Sequence, residues 1–161
     1  MFVKDLNFIQ ISKLDLPPRY KKLLDHTQSM TLRLENFYGQ EMAIKVIENH
    51  LLNNLYKREI VMFGKEDFIP REIAYIEIFL KNLPNKIIKE RIMEGKEPFG
   101  KILIDCGIKT ETEIKKFFKI PKNSQILKYS KNHSNFYYGR EYFIFSLSEK
   151  KKLANIIESV F

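Results

Sequence analysis

Apolar and polar residues alternate over several stretches of the chain, a pattern that places every second side chain on one face of a strand. Residues 55–63 (LYKREIVMF) read as such a strand, with Tyr56, Arg58, Ile60 and Met62 sharing a face. A turn at Gly64-Lys65-Glu66-Asp67 leads to a second strand over residues 71–80 (REIAYIEIFL). Two more close the chain, residues 138–147 (YGREYFIFSL) and 153–161 (LANIIESVF), joined by the polar turn Ser148-Glu149-Lys150-Lys151. Upstream, residues 42–49 (MAIKVIEN) alternate too, and residues 31–39 (TLRLENFYG) read as the strand that pairs with them in a hairpin.

Helical spacing occupies the remainder. A short helix over residues 19–25 follows Pro17-Pro18, and Pro84 opens another in which Ile87, Ile88, Ile92 and Met93 recur until Gly95. A further helix spans residues 99–105. Residues 113–120 (EIKKFFKI) fit helix or strand, and Pro121 ends either. Strands on both sides of a helical middle, without regular βαβ alternation, predict an α+β fold. It would be one domain over residues 1–161, a mainly antiparallel sheet of about six strands flanked by helices.

Two charges interrupt apolar strand faces. Arg58 is one, and Glu158, which shares its face with Ala154, Ile156 and Val160, is the other. An unpaired ion in such a place costs several kcal/mol, so it is normally matched by a partner or a ligand. The pair suggests a closed site for a small anionic molecule. The plainer alternative is a structural ion pair between Arg58 and Glu158 across the sheet. Glu77, among Ile73, Tyr75 and Phe79, is either inward or on an exposed face, and Arg140 lies on a face with Tyr138, Tyr142 and Ile144.

Composition narrows the classes. The 161 residues carry a formal charge of +8, which favours anionic partners without choosing among nucleic acid, lipid and small carboxylates. Nucleic-acid binding would need lysines and exposed aromatics on one face, whereas the alternation buries most aromatics, so no nucleic-acid partner is expected. Cys106 is the only cysteine and reads as an inert, partly buried side chain. No apolar run approaches the ~18 residues of a membrane span and no signal peptide is evident, which makes a cytoplasmic location the expectation. Neither a P-loop nor a GxGxxG fingerprint occurs, and no nucleophile elbow does. His26, His50 and His133 are far apart and lack metal-ligand spacing, so no metal is assigned.

Four blocks, in order, resemble the chorismate pyruvate-lyase family. They are LLDHTQSMTLRLEN, with Ser29-Met30-Thr31; YKREIVMF, with Arg58; EGKEPFGKIL, with Phe99; and GREYFIF followed by IIESVF, with Glu158. The resemblance implies an antiparallel sheet enclosing a buried site and conversion of chorismate to 4-hydroxybenzoate and pyruvate without metal or organic cofactor. It implies Arg58 as the ring-carboxylate clamp, Glu158 at the ring hydroxyl end as proton-handling or orienting group, and backbone amides near Met30 and Phe99 around the product. Ser29 and Thr31 join them as substrate-binding positions. A second basic residue of some family members has no match, since Ile76 stands about there, and Arg140 is the candidate to replace it. Chorismate is then the expected partner and a monomer the expected state. The same architecture serves non-catalytic sensing domains of bacterial regulators, so an aromatic-carboxylate-binding module is the alternative, although no DNA-binding helical domain is read ahead of it.

Overall fold

The computed structural model describes residues 3–131 and 134–161. Strands β1 (Ile9–Ile11), β2 (Met42–Leu52), β3 (Leu55–Gly64), β4 (Pro70–Phe79), β5 (Thr110–Pro121), β6 (Phe136–Ser146) and β7 (Lys152–Val160) form one sheet in the order β1-β5-β6-β7-β4-β3-β2. Every neighbouring pair is antiparallel. Helices α1 (Pro18–Leu24), α2 (Met30–Tyr38), α3 (Lys86–Glu94) and α4 (Phe99–Asp105) supply buried side chains to the core on one face. The other face is covered by Val3, Leu6 and Ile126, the last from the short α5 (Ser124–Leu127). This is the α+β, mainly antiparallel architecture expected, with seven strands in place of about six.

The expected first hairpin is absent. Residues 31–39 belong to α2, because Met30, Thr31 and Leu34 fall on one side of a helix and are buried there, whereas Leu32 is 41% exposed. The Leu32/Leu34 alternation that suggested a strand thus separates an exposed leucine from a buried one on a helix. Gly39, in the left-handed region at φ 68°, caps it. The real partner of β2 is β3, joined through Asn53 and Asn54. Both asparagines have positive φ (49° and 65°), the backbone that a two-residue hairpin of matching twist requires.

The remaining helical expectations hold closely. Asn85 caps α3 by accepting from the Ile88 amide, and Gly95 (φ 69°) ends it. The ambiguous segment around residues 113–120 is strand, with a bulge between Ile114 and Lys116. The three-residue β1 was not read from the sequence, and His133 lies outside the described residues.

Pairing fixes the position of β7, which carries Glu158. It runs between β4 and β6, with Ala74 and Arg140 as cross-strand neighbours of Glu158. A Cβ at Gly139 would fall 2.1 Å from the Glu158 carbonyl oxygen and 2.5 Å from the Phe118 ring, so only glycine permits this approach. Beyond the strand, the Phe161 amide donates to the Arg71 carbonyl and Arg19 donates to the Phe161 carbonyl at 2.8 Å.

Candidate functional site

A cavity of about 70 Å³ lies between the helical face of the sheet and the first turns of α2 and α4. Its sheet wall includes Ile60, Met62, Glu72, Ile76, Tyr142, Ile144, Ile156 and Glu158. Ser29, Met30, Thr31, Phe99, Gly100 and Leu103 close the other side. Two helices therefore begin at the cavity, and the first amides of each have no intrahelical acceptor. A Cβ on Gly100 would sit 2.4 Å from Ser29 Oγ, so this glycine lets the two helix starts meet. The Ser29 hydroxyl has no hydrogen-bond partner among the described residues.

Of the residues singled out from the sequence, Ser29, Met30, Thr31, Phe99 and Glu158 line this cavity. Arg140 stands behind Glu158. Its Nε donates to Glu158 Oε1 at 2.7 Å, both side chains being essentially unexposed. Tyr142 donates its hydroxyl to the other Glu158 oxygen at 2.8 Å. The ion pair across the sheet is thus Arg140–Glu158, and Arg58 takes no part in it. Burial works against the charge on Arg140, but Glu158, Tyr142 and Glu72 outweigh it and hold the guanidinium pKa above its ordinary value. Burial, followed by the charge of Glu158, raises the Tyr142 hydroxyl well above the usual phenol range.

Arg140 also straps the chain ahead of α2. One terminal nitrogen donates to the carbonyls of Leu24 (2.9 Å) and His26, which fixes the approach to Ser29 and Met30. His26 is 9% exposed and its Nε2 meets the Leu23 carbonyl at 2.8 Å, which assigns the proton to that nitrogen. Burial first, then the adjacent Arg140 cation, lowers its pKa to about 4. The unfolded chain, with an imidazole near 6.5, then takes up a proton that the folded chain refuses. This contribution to stability is complete above pH 6.5 and is expected to be lost progressively down to about pH 4, by on the order of 2 kcal/mol. Urea melts of wild type and His26→Gln at pH 7.5 and 5 check it: the variant should lose less stability on acidification.

Arg58 is wholly buried but does not line the cavity. It adjoins it, because Ile60, two residues along β3, and Ile76, directly across on β4, are both in the wall. Its terminal nitrogens donate to the carbonyls of Ile92 (3.4 Å) and Glu97 (3.3 Å), beyond the usual 2.7–3.2 Å range for such bonds, and its Nε has no partner among the described residues. No carboxylate lies within ion-pair distance of it among the described residues. Desolvation lowers its pKa to about 10, so the cation persists at neutral pH. The loop over Arg58 is held by Arg91, whose Nη2 and Nε bind the Glu97 carboxylate at 2.6 and 3.0 Å.

The sequence reading missed Glu72. It shares the β4 face with Ala74, Ile76 and Ile78, is 2% exposed and lies in the cavity wall. Burial, and then the charge of neighbouring Glu158, push its carboxyl well above the usual carboxylate range. The available signal was its alternation with those apolar residues. Glu77, by contrast, sits half-buried on the opposite face, bound by Tyr75, Asn155 and Lys57. Cys106 is partly buried, with Arg91 Nη1 3.4 Å from its sulfur. No three His, Cys, Asp or Glu side chains among the described residues are grouped so that they could hold a metal ion. No helix among them is long and apolar enough to cross a membrane.

No protein-family model matches the chain, and no curated protein matches it in sequence. Solved structures do share its fold. PhnF from Mycobacterium smegmatis superposes with a TM-score of 0.57 at 7% identity, covering 84% of this chain and 64% of that one. The effector domain of PhnF from the same organism gives 0.56 at 7% identity, covering 83% and 88%. A GntR-family transcriptional regulator from Bacillus cereus gives 0.51 at 12% identity, covering 75% and 92%. At these identities the likeness establishes architecture alone, and that architecture is the expected chorismate-lyase-like fold.

Proposed function

We propose that this chain is a binding domain for a small carboxylic acid, taken up beside α2 and α4 with Arg58 as the carboxylate partner. The observation that carries this reading is the isolation of Arg58, a fully buried cation that, among the described residues, makes two long bonds to carbonyls and meets no carboxylate. A carboxylate would offer two parallel charge-assisted hydrogen bonds in their place. The cavity must widen to admit it. A benzene-sized ligand needs roughly 150 Å³, about twice the present volume. The segment to yield is the α3–α4 loop, whose Glu97 carbonyl covers Arg58 and which is tied down by Arg91 on the surface. The alternative of a regulator-type sensing module gains support from the structural likeness to the PhnF effector domain.

Chorismate lyase activity is the second reading, and a specific arrangement favours it. Glu158 is in the cavity wall with the Tyr142 hydroxyl on one oxygen and the proton-retaining Glu72 nearby, so groups able to hold or pass a proton face the same space. Against it, both Glu158 oxygens are already engaged, which suits a fixed anchor better than a base. The deciding experiment incubates the protein with chorismate and assays 4-hydroxybenzoate and pyruvate, with a parallel titration of 4-hydroxybenzoate. Saturable binding without turnover is the expected result. Turnover that disappears in Glu158→Gln and Arg58→Ala would establish the lyase instead.

A further inference from the structure

Glu72 gives the cavity a second acid with a single cation to share. Glu158 accepts from Arg140 on one oxygen and from Tyr142 on the other; Glu72 adjoins Glu158, and its Oε2 is buried with no hydrogen-bond partner among the described residues. The charged and titratable groups around it are Glu158 on β7 and Arg140 and Tyr142 on β6. The cavity-lining residues of β3, α2 and α4 add no charged group. Arg140 pairs with Glu158, while burial and the neighbouring Glu158 charge favour the proton on Glu72. A cation arriving from the cavity would balance it equally well.

We propose that the ligand carries an ammonium group received by Glu72 beside Glu158, which makes it a compact amino acid in the broad sense: a carboxylate at one end and an amine at the other. The carboxylate end rests on the Arg58 reading above. Along β4 the two anchors are four residues apart, since Arg58 pairs with Ile76. That is roughly 13 Å of backbone, and the reach of both side chains leaves space for one ring or a short aliphatic spacer. No covalent bond changes on binding. The amine arrives and stays protonated, the Glu72 proton passes to the buffer, and the new contact is a carboxylate–ammonium pair. A second carboxylate at this end would instead face two acids with one guanidinium.

Calorimetric titrations at pH 7 and 8, in buffers of differing ionisation enthalpy, test this with 4-(aminomethyl)benzoate and 4-methylbenzoate as probes. The amine is expected to bind about tenfold or more tightly, to release up to one proton, and to gain affinity as pH rises toward the Glu72 pKa. Glu72→Gln should bring the two probes within about twofold of each other and remove the proton release. Equal affinities with no proton release, or a preference that survives in Glu72→Gln, would overturn the proposal. Unchanged affinity of both probes in Arg58→Met, with the preference for the amine still lost in Glu72→Gln, would contradict the Arg58 reading while sustaining Glu72. Failure of both probes to bind would overturn the two together.

Discussion

Replacing Arg140 with alanine is expected to destabilise the domain by about 3–5 kcal/mol, the range for breaking a buried ion pair from one side. Glu158 would remain buried without its cation, the His26 carbonyl would lose the Arg140 donor, and the Leu24 carbonyl would keep only the His26 amide. The damage should spread to the start of α2, because Arg140 is what ties the chain at residues 24–26 to the sheet. Urea unfolding measures the loss. Adding Glu158→Gln to Arg140→Ala should recover part of it, since the second change removes the uncompensated charge.

Arg58 is expected to behave in the opposite way, although it is just as buried. Arg58→Met should leave the unliganded domain as stable or raise its stability by roughly 1–3 kcal/mol, because it removes an ion that no carboxylate neutralises and fills the space with a side chain of similar length. The same change should weaken carboxylate binding by at least about 100-fold, or roughly 2.7 kcal/mol. Thermal melts and titrations on one pair of proteins read both effects. A residue that costs stability in the empty state and repays it on binding is a functional residue; one that costs stability when removed is a structural one. Two buried arginines on adjoining parts of one sheet face are expected to fall on opposite sides of that division.

Alternation along β3 and β7 was sufficient to find Arg58 and Glu158, because the faces they interrupt are apolar on both sides of each charge. It did not reveal their partners. Glu158 meets Arg140 because β6 lies beside β7, and strand order is a property of the whole chain. Glu72 sits beside Arg71 at the head of β4 and was not singled out; Met62 and Val160 lie across from it on the neighbouring strands. The helices α3 and α4 were legible from proline and glycine punctuation. Helix α2 was not, since Leu32 and Leu34 alternate as a strand would and only packing against the sheet distinguishes them. The Asn53-Asn54 turn was a local signal available in the sequence, and it was overlooked in favour of a hairpin one strand too early.

The candidate site has one acid paired with Arg140, a second acid, Glu72, whose pKa burial raises, and a cation, Arg58, with no carboxylate at ion-pair distance among the described residues. On the proposed reading, a carboxylate would be drawn to Arg58, the Glu97 carbonyl would give way, and the α3–α4 loop would move with it. The decisive measurement is a calorimetric titration of 4-hydroxybenzoate into wild type and Arg58→Met side by side. Saturable binding by the wild type that falls at least about 100-fold in the variant is the predicted result. Equal affinity in the two proteins would contradict the role assigned to Arg58.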